Sequence, residues 1–379
     1  MRNQNLSGPR KQLKLDHDRL GHPSMQLIQK LCQPSDLSSP DFDGVSASSQ
    51  PCLLAEDPAQ LRVQHPMCEA CQVAKACSCP TGAKKVSPVP GVVDSICAED
   101  LKPGDCVSVD QHESSVRGRR PETKGREKFE RKFCSGTLFC DHSSGRIFTQ
   151  HQTSLSVHET SQAAMAFERE AALCGFQIKK HRTDNGVFSA KGHREFLSDT
   201  QQVHKSGVGA HHQNGVAEAN IGRVQCMACC VLLHLQIHWP DEFNPNLWPF
   251  ALDYAVCVCN HIPVGGKAGA ASPVELFCGS KIGCRPLRRL KVFGCPCRVL
   301  DPRLQDGKKI PKWEPRSRKG QFLGFSREHA STVGLIRNIR TSHVSPQFHV
   351  VCDEEFSTVA SDNTVDLTEN WIDVLLNFR

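Results

Sequence analysis

A mixed α/β fold, one sheet covered by helices, is what the middle of this 379-residue sequence predicts. Three observations carry it. Short apolar runs bounded by turn residues read as strands. Two longer segments place apolar residues at helical spacing. The two kinds follow one another as strand, hairpin, helix, strand, helix and helix, an order that layers helices on a sheet.

The elements come in turn. Cys106 to Val109 follows the turn-forming Pro103-Gly104-Asp105 and reads as a strand. Residues 116 to 132 are heavily charged, with glycines and a proline, and read as a loop or long hairpin tip. The stretch CSGTLFCDHSSGRIFTQHQ predicts two strands joined at the Ser-Ser-Gly turn around Gly145. Residues 156 to 174 read as a helix, because Ala163, Phe167, Ala171 and Cys174 recur three or four apart and Gly175 stops the pattern. Phe176 to Lys180 reads as a short strand, and residues 191 to 198 as a short helix. A long helix spans 214 to 238, with Asn214 as its cap.

Composition narrows the class. Hydrophobic residues make up 39% and charged residues 23%, which fits a folded chain rather than a disordered one. The net charge of +6 permits nucleic acid as a partner, and any basic surface must be local. No run of 18 apolar residues occurs, so no membrane partner is expected. The N-terminus, MRNQNLSGPRKQLKL, does not read as a secretory signal. The 21 cysteines therefore read as thiols, a few of them metal ligands, rather than as a disulfide framework. Four regions emerge: 1–79 with paired His and Cys, a Pro/Gly/Val-rich linker at 80–104, the α/β core at 105–275, and short strand-like runs at 287–356.

Three carboxylates sit at ends of the core elements. Asp110 ends the strand-like VSVD, Asp184 follows FQIKKHRT, and Glu218 lies near the start of the long helix. Neighbouring strands would let these ends converge. Carboxylates within ~4 Å repel and raise one another's pKa. A divalent metal reverses that cost, since Mg²⁺ is hard and prefers oxygen ligands. Two ions about 3.5–4 Å apart serve phosphoryl transfer by activating the attacking oxygen and stabilising the leaving one. Spacing leaves Asp141, at the strand end in FCDHSSG, as a rival to Asp110, and leaves each carboxylate a solubilising surface role.

Two further sets stand out. His17 and His22, followed by Cys68 and Cys71, offer four ligands suited to tetrahedral zinc. Cys77 and Cys79 are rival ligands, and residues 23 to 67 read as an insertion that lengthens a loop at modest entropic cost. Lys308, Lys309, Lys312, Arg316, Arg318 and Lys319 form a basic stretch suited to phosphate contacts or to a solvated loop. A second basic run, at 117–132, is diluted by glutamates.

The segments VSVDQ (107–111), FCDHSSGR (139–146), HRTDNG (181–186) and GVGAHHQNGVAE (207–218) resemble the integrase core of Copia-type long-terminal-repeat retrotransposons. HDRLGH (17–22) with CEAC (68–71) resembles that family's pre-integrase zinc module. RRLKVFGCPCRVLDP (288–302) and EPRSRKGQFLGFS (314–326) resemble its small SH3-like barrel. The resemblance thus spans nearly the whole chain. It implies an RNase H-like core with Asp110, Asp184 and Glu218 as catalytic carboxylates on a Mg²⁺ or Mn²⁺ pair. Asn185, Gly186, Asn214 and Gly215 complete the motifs, and Asp141 falls outside the triad as a supporting residue. It also implies zinc on His17, His22, Cys68 and Cys71, double-stranded DNA (element ends and target) as partner, and a homo-multimer. The reaction implied is 3′-end processing and strand transfer, in the nucleus after a cytoplasmic particle stage.

The chain departs from the family pattern in places. The 34 positions from Asp184 to Glu218 (218 − 184) are slightly fewer than usual. Ala219, Asn220, Ile221 and Gly222 stand where basic residues are usual, and Gly222 weakens the helix by up to ~1 kcal/mol relative to Ala. His142 replaces a common aromatic residue, and Cys226, Cys229 and Cys230 crowd the long helix. No protease or polymerase motif accompanies the core, so the chain reads as a fragment or processed product. A catalytically inactive DNA-binding derivative, or another RNase H-like nuclease, stays open beside the integrase reading.

Overall fold

Period-two alternation builds the central sheet. In the computed structural model, residues 6, 8–33, 53, 58–76, 101–121, 123, 128–183, 202–205, 214–266 and 270–359 are described. Strands β1 (Val107–Gly118), β2 (Phe133–Asp141), β3 (Ile147–Gln152), β4 (Lys180–Thr183) and β5 (Gln202–Lys205) lie in the order β3-β2-β1-β4-β5. The first three are antiparallel, and β4 and β5 run parallel to β1. Successive side chains point to opposite faces. Val107, Val109, Phe139 and Phe148 pack against Ala163, Ala164, Phe167 and Ala171 of α4 (Val157–Leu173). Leu138, Cys140 and Ile147 join the larger core on the other face.

Helix α4 ends at the Gly175 stop its sequence predicts, and the structure adds a cap at its start. Ser156 caps it by accepting from the Glu159 amide, and Gly175 leaves it at φ +89°, where only glycine sits without strain. The larger core holds α5 (Gly215–His238) and α6 (Trp248–His261). Among the described residues, α5 alone is long and apolar enough to cross a membrane. The absence of an 18-residue apolar run did not register this. Yet every residue from Ala228 to Gln236 is buried inside the protein, as in the central helix of a folded core.

Helices α1 (Gly8–Arg19), α2 (Met25–Leu31) and α3 (Glu69–Ala74) contribute Leu13, Ile28 and Ala70 to that same core. Helices α7 (Pro273–Cys278) and α8 (Arg285–Arg289) lead to a second sheet. It is antiparallel, ordered β10-β6-β7-β8-β9, from β6 (Pro296–Leu300), β7 (Ser317–Phe325), β8 (Gly334–Asn338), β9 (Val344–Gln347) and β10 (Val350–Cys352). A one-turn helix, α9 (Pro302–Gln305), interrupts the β6–β7 connection. Val299, Phe322 and Ile336 of this sheet belong to the large core too.

Three expectations shift. β1 runs to Gly118, well past Val109, because His112 and Ser114 are buried by tertiary contacts that alternation of apolar residues cannot reveal. Gly118 lies under Pro249 and Trp248, where a Cβ would sit 2.5 and 2.7 Å from their rings. The next strand is Lys180–Thr183 rather than Phe176–Lys180. Phe176 and Ile178 pack into the α4-side core without pairing, while the polar-looking KHRT pairs with β1 and β5. The short helix expected at 191–198 lies outside the described residues.

Two stability outcomes are expected. Gly222 lies on an exposed turn of α5 with open space where a Cβ would project. Gly222→Ala should raise stability by about 0.5–1 kcal/mol, read as a higher urea midpoint at unchanged m-value. His112 is buried beside Trp248, and neither ring nitrogen has a hydrogen-bond partner. Burial, then the neighbouring His151, pushes its pKa from 6.5 down to about 3. Between those values the unfolded chain takes up a proton that the folded chain refuses, so acid weakens the fold. His112→Leu should shrink the stability lost between pH 7 and pH 5 by about 2 kcal/mol, measured by urea unfolding at both pH values.

Candidate functional sites

The carboxylate site starts from β1. Gln111 donates through Nε2 to Thr160 of α4 at 2.8 Å, so Asp110, one residue earlier, lies on the opposite face, with α5. Asp110 is half-buried and accepts the Gln111 amide at 2.8 Å. Asn214 stands at the N-cap position of α5, but its side chain makes no capping bond. It donates instead to the Val109 carbonyl at 3.1 Å, and so fixes the start of α5 beside β1. Gly215 opens the helix, and Glu218, one turn in, is exposed beside the fully buried Ala217. β4 lies parallel to β1 and ends at Thr183. Asp184, Asn185 and Gly186 lie outside the described residues. The structure therefore brings the helix bearing Glu218 to the strand bearing Asp110. Among the described residues, neither belongs to a group of three metal-binding side chains.

Asp141 has a different task. Its buried carboxylate accepts from the Gly104 amide at 2.9 Å, the Ser144 amide at 2.8 Å and the Ser144 hydroxyl at 2.7 Å. It holds the turn between β2 and β3 and ties it to the segment before β1. It pairs with Val107 while Asp110 pairs with Leu138, so the two aspartates sit at different levels of the sheet. His142 closes the same corner through Nε2, 2.8 Å from the Ser108 hydroxyl. Burial lowers the His142 pKa.

The His/Cys set converges. His17 lies in the last turn of α1, Gly21 turns the chain at φ +68°, and His22 itself adopts φ +64°. A left-handed backbone is costly for a non-glycine residue, and here it swings the His22 ring back over α1. His22 Nδ1 lies 3.1 Å from His17 Nε2 and 3.4 Å from Cys68 Sγ, and Cys71 Sγ lies 3.3 Å from His17 Nε2. All four ligand atoms fall within 4.8 Å of one another. His17 Nδ1 donates to the Pro23 carbonyl at 2.8 Å, which leaves Nε2 as the basic nitrogen facing the group. Hydrogen bonds from Cys230 of α5 and from Cys68 hold Cys71 well below the usual thiol range, and burial lowers His22. Two imidazole nitrogens and two sulfurs at these separations fit tetrahedral zinc.

Sequence reasoning missed the groups behind this set. Asp18 is buried; burial pushes its pKa up, but Lys14, His234 and His22 hold it below the usual carboxylate range. Lys14 reaches it at 2.5 Å. The i,i+4 spacing of Lys14 and Asp18 was a visible signal; the contribution of His234, from α5, was not.

The basic stretch divides. Lys308, Lys309, Lys312 and Arg316 are exposed on the β6–β7 connection. Arg318 and Lys319 belong to β7. Lys319 lies 4.9 Å from the centre of the Trp239 ring and donates to the Thr358 carbonyl at 3.2 Å, so it is a packing residue, not a loop cation. In the second run, Arg119 is buried and bonds the carbonyls of Thr123 and Ser342, joining the end of β1 to the second sheet.

No family model and no curated protein matches the chain. Among solved structures it is similar to the HTLV-2 integrase catalytic core domain in complex with magnesium. Identity is 19%, over 45% of this chain and 95% of that one, with a TM-score of 0.30. It is also similar to a simian T-cell lymphotropic virus intasome in complex with PP2A regulatory subunit B56 gamma. There identity is 14%, over 66% of this chain and 79% of that one, with a TM-score of 0.35.

The geometry separates a structural from a surface carboxylate. Asp141→Ala leaves buried amides without an acceptor and should cost roughly 2–4 kcal/mol in urea unfolding. Glu218→Gln, at an exposed position, should stay within about 0.5 kcal/mol of the parent chain.

Proposed function

We propose that this chain is an integrase of the Copia retrotransposon type, a metal-dependent DNA-processing and strand-transfer enzyme with an RNase H-like core. The observation that carries the reading is the docking of the start of α5 on β1 through Asn214, on the face that Asp110 shares. The strand register is compatible with it. Ser108 pairs with Arg182, and Asp110 and Asp184 each follow two positions later in sequence. The four sequence motifs support the same assignment.

In this reading Asp110, Asp184 and Glu218 would hold Mg²⁺ or Mn²⁺, which would supply the charge to activate a water or a DNA 3′-OH and to stabilise the leaving oxygen. Asp110 is half-buried and held by a backbone amide, a rigid carboxylate. Glu218 is exposed, where a DNA phosphate can approach. His17, His22, Cys68 and Cys71 take zinc in a closed site whose role is folding rather than chemistry. Lys308, Lys309, Lys312 and Arg316 contact phosphates and position the duplex without reading its sequence. The working form is a homo-multimer on two element ends, acting in the nucleus. A second reading, an inactive DNA-binding derivative, draws on the exposed Ala219 and Gly222 beside Glu218, where basic side chains would favour DNA.

A strand-transfer assay with short duplexes from the element's termini and Mg²⁺ or Mn²⁺ tests the proposal. Joined products are expected from the parent chain, with at least a hundredfold loss in Asp184→Asn and Glu218→Gln at unchanged DNA binding. Folded, DNA-binding protein that joins no ends would overturn the enzymatic reading and favour the inactive one.

A further inference from the structure

A second group of thiols lies in the second sheet, distinct from the His17 group and from the carboxylates. Cys295, Cys297 and Cys352 bring their sulfurs within 4.8 Å of one another. Local structure explains why. Gly294 adopts φ +79° and lies against Leu235, a position that leaves no room for a Cβ. Its amide donates to the Phe322 carbonyl at 2.7 Å, and the Phe322 amide returns to the Cys295 carbonyl at 3.1 Å, so the start of β6 is pinned to β7. From there Cys295 and Cys297 are two apart along an extended chain, which puts both on one face. Cys352 of β10 is the direct cross-strand partner of Cys297. Residues directly opposite on neighbouring strands point to the same side. The sulfurs of Cys297 and Cys352 lie 3.0 Å apart.

We propose that Cys295, Cys297 and Cys352 form a soft-metal site that takes zinc through three thiolates. Thiolate ligands select zinc and similar thiophilic ions over the hard cations that carboxylates bind. Each thiol gives its proton to solvent as its sulfur binds the ion. The site carries one net negative charge, smaller than a monovalent ion would leave in the same group. A disulfide between Cys297 and Cys352 would engage two sulfurs and leave the third without a role; a metal uses all three. Cys295 and Cys297 are fully buried, while Cys352 is half-buried on an edge strand next to the exposed Val351, which gives an ion a way in and leaves a fourth position open to water.

The site's place gives it a consequence. The Asp353 amide donates to the Pro296 carbonyl at 2.8 Å, and Glu354 then accepts from Arg19 of α1 at 2.7 Å and from Lys291 at 2.8 Å. An ion on Cys352 therefore anchors the chain immediately before it grips α1. The inference stands apart from the integrase reading, because it uses none of the catalytic carboxylates or the His17 group.

The test uses the full chain, purified under reducing conditions, loaded with Zn²⁺ and freed of excess. Metal content per chain is measured for the parent, Cys297→Ser, Cys352→Ser and, as a control for the other thiol site, Cys71→Ser. Cys297→Ser and Cys352→Ser should each hold one zinc fewer than the parent, with unchanged circular dichroism. Co²⁺ loading should show thiolate-to-metal absorption that persists in Cys71→Ser and falls in Cys297→Ser. Equal zinc in the parent and in folded Cys297→Ser and Cys352→Ser overturns the proposal. So does a Cys297–Cys352 disulfide in metal-free protein whose formation Zn²⁺ does not prevent. If either variant fails to fold, alkylation of the parent decides: Zn²⁺ should slow iodoacetamide labelling of Cys352 at least tenfold, and equal rates with and without Zn²⁺ overturn it.

Discussion

Burial of the middle of α5 on every side is the constraint from which the rest of the architecture follows. From Ala228 to Gln236 each residue is enclosed, so no single sheet face can cover the helix. Leu138 and Cys140 of β2 cover one side, α6 another, and α1–α3 a third; Gly294 of the second sheet meets Leu235. Each fully buried leucine or valine contributes about 1.5–3 kcal/mol relative to exposure, so leaving any side open would be costly. The segments bearing the zinc-type ligands, the core sheet and the C-terminal sheet therefore share one continuous hydrophobic core. Perturbing one is expected to reach the others, because well-packed interiors transmit strain.

Polar contacts refine that core rather than create it. Trp239 donates from its indole to the Gly294 carbonyl at 2.9 Å, and the Tyr254 hydroxyl reaches the carbonyls of Lys291 and Arg19. Tyr254 is the single tyrosine in the chain, and burial raises its pKa well above the usual value. Glu354 sits between Arg19 and Lys291, and the attraction of those cations outweighs the burial that would raise its pKa. A buried carboxylate is tolerable only when so paired. These bonds fix which part of the second sheet meets which turn of α1, a matter of register that apolar packing leaves loose.

Legibility in the sequence followed the range of the interactions. α4 was readable because its apolar spacing and its Gly175 stop lie within twenty residues of one another. The β2–β3 hairpin was readable for the same reason. β1 was read too short because the polar His112 and Ser114 are buried, His112 against Trp248 of α6, far away in sequence. β4 was misplaced because a parallel strand shows no local partner, and KHRT looks polar until β1 and β5 flank it. The four zinc-type ligands were legible as two short motifs; that His22 reaches the others through a left-handed backbone was not. The thiol group of Cys295, Cys297 and Cys352 was hidden altogether, since the pairing of Cys297 with Cys352 depends on the order β10-β6-β7.

The same helix that organises the core also explains where chemistry can sit. The N-terminal half of α5 emerges from the packed region, so Ala217 is buried while Glu218 and Ala219 face solvent. Asn214 gives up its capping bond to hold β1, which trades a local helix contact for a fixed distance between helix and strand. Caps of that type are worth about 0.5–2 kcal/mol, a sacrifice that makes physical sense where placement of the first turn matters more than helix stability. A side chain on that turn gains a rigid base in the core and an open approach from solvent. Rigid support with an exposed tip is what the metal-holding role proposed for Glu218 would require. Asp141, buried and fully engaged at the other end of the β1–β2 pair, has the support without the access, and the structure leaves it a turn to hold.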